Sequence, residues 1–248
     1  MRVTTLEPIA AVLLFSSLAA LTAVLGVGPQ AVGRAPSRTQ IGWANALAGG
    51  LMLGVAYTLL TEGLSGALIA GGLGTLLGIG FVRVSHAAAG TGELDVDELE
   101  SSGPGGGYKA ILVDALHAAD EGVAIGVAMV VSIPLGIAMA ATLAVHNIPE
   151  AMVLSTVLTR KGLSLPRAAA VSVAVNVNQV LLAAISFGLL GLFPAALPVV
   201  AGFAVGALMY RSLVELLPES YHQAGETSIA VVTLLAMGVV VLLAGVAS

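Results

Sequence analysis

Long apolar runs separated by short polar punctuation set the pattern of this chain from end to end. A helix that spans a bilayer needs roughly 20 mostly apolar residues. On that yardstick the sequence divides into eight runs, at 8–26, 42–62, 65–85, 110–132, 136–158, 168–190, 197–217 and 226–247. The pattern predicts an all-α integral membrane protein, with eight transmembrane helices in a single domain over residues 1–248. One connection is long. Residues 87–107, "AAAGTGELDVDELESSGPGGG", are acidic, glycine-rich and free of a hydrophobic face, which predicts a mobile loop between the third and fourth spans. The first run follows Arg2 as a signal peptide would, but its length and Glu7 favour a retained helix.

Basic residues orient these spans. Arg34, Arg38, Arg83, Lys109, Arg160, Lys161 and Arg167 fall on one side and Arg2 on the other. By the positive-inside rule the richer side is cytoplasmic, so both termini face outward, across the cell membrane, and the acidic loop is cytoplasmic. The first and last three spans also resemble one another. At a constant offset, Leu51 and Met52 match Leu208 and Met209, and Leu59, Leu60 and Glu62 match Leu216, Leu217 and Glu219. With one residue of slippage, "TLLGIG" at 75–80 matches "TLLAMG" at 233–238. Halves of three spans separated by two cross the membrane in opposite senses, which predicts a 3+2+3 inverted repeat.

Composition narrows the chemistry. The chain is 58% hydrophobic and only 9% charged, with a mean hydropathy of +1.03. Its partner is the lipid bilayer. Cysteine is absent, so disulfides and thiolate metal sites are excluded. The net charge of -5 sits partly in "ELDVDELE" at 93–100 and gives no basic surface for nucleic acid.

Against this background two segments stand out, "HAADE" at 117–121 and "HNIPE" at 146–150. Positions i and i+4 share a helix face, so each segment presents an imidazole beside a carboxylate. Counted from Pro134 at the turn between the spans, both motifs lie at the same depth, roughly 21 Å at 1.5 Å per residue. That is near the midplane of a core about 30 Å thick. Ionisable side chains there cost at least about 3 kcal/mol each, and a divalent cation would hold them together. His117, Glu121, His146 and Glu150 make a four-ligand set suited to zinc and open to iron, manganese, cobalt, nickel or cadmium. Asn147, Asp120 and Asn178 could add oxygens at a neighbouring position. Pro149 removes one amide donor and predicts a local break in the fifth span.

Other polar residues suggest a path. Glu62 belongs at the outer end of the second span, Glu215 and Glu219 near the cytoplasmic end of the seventh, and Asp114 one turn before His117; each could relay ions or simply mark a helix end. Met52 and Met209 offer soft contacts or plain packing. His86 and His222 fall at cytoplasmic edges, where single histidines are expected to be surface residues.

"HNIPEA" resembles the HNxPEG signature of the ZIP (Zrt/Irt-like) metal transporters, and "HAADEG" resembles its partner in the preceding helix. "GALMYRSLVELLPES" at 206–220 looks like that family's seventh helix, and the resemblance extends over nearly the whole chain. It implies an eight-helix bundle, uptake of zinc or similar cations toward the cytoplasm, and often a two-metal centre shared by the fourth and fifth helices. Its primary site falls on His117, Glu121, His146 and Glu150. The chain departs from the family at Ala118, Asp120, Ala151 and Asn178, where Asn, Pro, Gly and a carboxylate are usual; these changes bear on the second metal, with Asp120 a substitute ligand. The loop is acidic where the family's is often rich in histidine.

Divalent cation transport is the resulting expectation, with the metal as substrate and no resident cofactor; the oligomeric state is left open, a homodimer included. Two rivals remain. An intramembrane zinc hydrolase should carry H-E-x-x-H, whereas Ala118 and Asn147 follow the histidines here. A metal-binding membrane protein that moves no ions would share the ligands and differ only in flux.

Overall fold

A computed structural model describes residues 7–34, 36–64, 67–89 and 106–247. They form helices and short turns, with no strand among the described residues. The chain begins with α1 (Pro8–Leu21), extended by a 3-10 segment (Thr22–Val27) and a single helical turn. Then come α2 (Arg38–Gly63), α3 (Leu68–Ala89), α4 (Gly106–Val131) and α5 (Ile133–Arg160). The remainder is α6 (Leu165–Val175), α7 (Val177–Leu192), α8 (Leu197–Arg211), a π segment (Ser212–Leu216), α9 (Leu217–Ala224) and α10 (Glu226–Ala247).

Seven helical stretches are long and apolar enough to cross a membrane. Helix α4 is 26 residues long but is not among them; it carries Lys109, Asp114, Asp120 and Glu121. Several helices run past the apolar limits read from the sequence, because capping lets them continue into polar residues. Ser37 accepts from the amide of Gln40, whose side chain accepts from the amide of Ser37, and so α2 begins at Arg38 rather than at 42. The acidic loop is shorter than expected, since 87–89 and 106–107 are helical; the rest of that prediction, 90–105, lies outside the described residues.

One expectation about helix breaks is corrected. Helix α5 continues through Pro149 without interruption. The proline forfeits one donor, and the neighbouring turn is tied by Thr22, whose hydroxyl donates to the carbonyl of Ala144 at 2.6 Å. The interruptions occur elsewhere, at Asn176 between α6 and α7 and at the π segment after Arg211. Single π turns inside α-helices are common at functional sites.

Helices α4 and α5 form a hairpin at Ser132, whose hydroxyl caps α5 by accepting from the amide of Leu135 at 3.2 Å. The hairpin is central. Helix α4 packs on α7, α5, α8 and α2, while α5 packs on α1 and α2 as well. Gly122 and Gly126 allow the close approach of α7, since a Cβ on either would run into the carbonyl of Gln179 or of Ala183. Near the Ser132 turn the bundle is filled by Met52, Val55, Leu59, Val127, Met139 and Leu208, all buried in one apolar cluster. Outward-facing leucines on α3 and α10, such as Leu76, Leu77, Leu234 and Leu242, are more than half exposed. Apolar faces of that extent suit lipid rather than water.

Candidate metal centre

Equal depth of the two motifs brings them into contact. His146 Nε2 lies 3.0 Å from Glu121 Oε1 across the hairpin and 3.6 Å from Glu150 Oε2 on its own helix. Donor atoms of Glu121, His146 and Glu150 all fall within 4.8 Å of one another. Ligands around a tetrahedral zinc at 2.0–2.2 Å are separated by roughly 3.3–3.6 Å, so this triad has the spacing of a cation cage. Nδ1 of His146 lies 3.3 Å from the carbonyl of Ala48. Donation from Nδ1 to that oxygen would leave the Nε2 lone pair facing the carboxylates, as a metal-ligating histidine requires.

The fourth residue expected in this cage, His117, faces it from one side, with Nδ1 3.9 Å from Glu150 Oε1. Its Nε2 belongs to a second triad. His86 Nε2 lies 3.3 Å from His117 Nε2 and 3.0 Å from Glu215 Oε1, and His117 Nε2 is 3.7 Å from Glu215 Oε2. These three residues are buried and also satisfy the spacing of a metal group. The reading of His86 as a surface residue is therefore overturned. Its span extends one turn further than the apolar pattern indicated, and packing of α3 against α8 and α4 encloses its end. His222 is exposed, as expected.

The secondary candidates divide. Asn178 Nδ2 donates to the carbonyl of Ala115 at 3.1 Å, an interhelical bond between α7 and α4. Asn147 Nδ2 donates to the carbonyl of Ala19 at 2.9 Å and to Gln179 Oε1 at 3.0 Å, leaving only its buried Oδ1 without a hydrogen bond. Asp120 is buried and joins neither triad among the described residues. Glu62 is exposed at the end of α2. Met209 packs against the apolar core, whereas Met52 reaches the cage.

A cavity links the two triads with the far end of the bundle. Asp114, His117, His146, Glu150, Glu215 and Glu219 line it. It opens along the half of the molecule that carries Lys109 and Arg160, opposite the apolar cluster near Ser132. The π segment contributes by placing Glu215 in the second triad, one turn beyond Arg211.

Arg211 was not anticipated as a site residue. It is 1% exposed, and Nη2 lies 2.6 Å from Glu121 Oε1, 3.1 Å from His146 Nε2, 3.2 Å from Met52 Sδ and 3.6 Å from Glu150 Oε1. A signal existed: a lone arginine inside the apolar run at 197–217 costs about 3 kcal/mol at the membrane centre unless a carboxylate meets it.

Comparisons with known proteins agree with this chemistry. A family profile described as ZIP zinc transporter matches residues 84–247. An Arabidopsis thaliana protein named "Putative zinc transporter" is 29% identical over 195 residues, which is 76% of this chain and 31% of that protein. The chain thus spans about a third of the length of that relative. With more than half of its residues matched by the profile, the chain belongs to the ZIP zinc transporter family.

Proposed function

We propose that the protein carries divalent metal cations, zinc foremost, across the cell membrane toward the cytoplasm. The observation that carries the reading is the arrangement of two donor triads in series, joined where His117 faces Glu150. An ion from outside sheds water into Glu121, His146 and Glu150, with His117 as the adjoining ligand. It passes to His117, His86 and Glu215, and leaves along the cavity past Glu219. Asp114 on the cavity wall offers carboxyl oxygens along this path. The metal is substrate throughout, not a resident cofactor.

The reading counts eight crossings, α4 included. Its charged residues are compatible with a span because α2, α5, α7 and α8 surround it and lipid does not. The clustering of Arg38, Lys109, Arg160 and Lys161 at one end supports a cytoplasmic face there, hence outward termini. The packing of α2 on α10 and of α3 on α8 supports the inverted repeat, for a twofold relation between the halves would exchange these two pairs. Motion of the halves against the hairpin would open the cage to each side in turn.

Membership in a transporter family sets aside the hydrolase alternative. Flux separates transport from binding alone. Purified protein in liposomes should accumulate zinc saturably, with cadmium, iron or manganese competing; binding without accumulation would overturn the proposal.

A further inference from the structure

Arg211 holds a position that cation transport does not require. One nitrogen, Nη2, contacts Glu121, His146, Glu150 and Met52 together, so a positive group already stands at the focus of the cage. The same guanidinium is incompletely bonded. Its Nε and Nη1 make no hydrogen bond, and neither do the two carboxylate oxygens of buried Asp120, although Nη1 lies only 3.8 Å from Asp120 Oδ1. Unbonded buried donors and acceptors facing one another at this distance are costly as they stand, and a shift of about 1 Å would join them.

We propose that Arg211 is a tethered exchange counter-ion: its guanidinium occupies the metal cage between loads and moves onto Asp120 when a divalent cation enters. This rests on the transport reading above. The chemistry follows from charge. Three carboxylates, Glu121 and Asp120 fully buried and Glu150 partly so, would be forbidding without a cation at the membrane centre. The guanidinium offsets part of that charge after unloading and so permits the return of the carrier. With one divalent ion bound and Arg211 on Asp120, the same three carboxylates are neutralised in full. Incoming metal must therefore displace Arg211, and Asp120 provides the place that makes displacement feasible.

The test is zinc affinity of the purified protein in detergent, measured against a metal buffer for wild type, Arg211→Met, Asp120→Asn and the double variant. Removing the competing cation should tighten binding roughly tenfold or more. Asp120→Asn should weaken it by a similar factor, because the guanidinium is then confined to the cage, and this weakening should vanish in the double variant. Equal or weaker binding by Arg211→Met overturns the proposal, as does an Asp120→Asn effect that persists undiminished without Arg211, the behaviour of an ordinary ligand. Should Arg211→Met fail to fold, cobalt-loaded Asp120→Asn decides: an unaltered ligand-field spectrum with weaker binding supports the exchange, and unaltered affinity or an altered spectrum overturns it. Wild type that binds no zinc at all would instead overturn the transport reading itself.

Discussion

Glu121 and His146, 25 positions apart on antiparallel helices, meet at 3.0 Å with side chains 0% and 1% exposed. This contact fixes the register of the α4–α5 hairpin. It also makes Glu121 the carboxylate shared by the cage and by Arg211, at 2.6 Å. Replacement of Glu121 by Gln should thus act twice. Zinc affinity should fall at least about tenfold, and the protein should lose about 3 kcal/mol of stability because the guanidinium loses its nearest charge. Zinc titration and thermal unfolding in detergent would read the two effects separately.

The second triad should govern release rather than capture. Replacement of His86 by Ala removes the imidazole 3.0 Å from Glu215 but leaves Glu121, His146 and Glu150 in place. Maximal uptake rate should fall several-fold while the zinc concentration for half-maximal uptake changes little. Initial rates over a range of zinc concentrations would show it.

Close helix approach supports the site from behind. A methyl group at Gly122 would collide with the carbonyl of Gln179, one position along α4 from Glu121. Gly122→Ala should cost about 1–3 kcal/mol through overpacking and displace the cage, lowering both thermal stability and zinc affinity. By contrast, Gln30→Ala removes hydrogen bonds to Ser155, Thr156 and Thr159 beside the bundle end. Interhelical bonds of this kind are worth about 0.6 kcal/mol each in membranes. That variant should bind zinc like wild type and melt only slightly lower.

Much of this organisation is legible in the sequence because a membrane imposes simple constraints. Apolar run length locates the helices, and the i, i+4 spacing of His146 and Glu150, repeated at equal depth by His117 and Glu121, marks the hairpin that holds the charges. Less accessible are features that depend on which helices touch. His86 looks peripheral until α3 is extended past its apolar run and packed beside His117 and Glu215. Asn147 and Asn178 also tie helices together in a way the sequence does not show, their amide nitrogens donating to Ala19, Gln179 and Ala115. Pro149 has the signature of a break, while the actual interruptions, at Asn176 and after Arg211, carry no proline at the position concerned. Arg211 stands in one dimension as a lone charge inside the apolar run at 197–217 and becomes the centre of the charge cluster only when α8 packs against α4.

The central claim, that the buried hairpin residues bind an ion in order to pass it across the membrane, is tested most directly by zinc flux into proteoliposomes for wild type and for His146→Ala combined with Glu150→Ala. Wild type should take up zinc saturably, and the double variant, correctly folded by size-exclusion chromatography, should fall to the rate of protein-free liposomes. Saturable zinc uptake by the double variant at the wild-type rate would contradict the account.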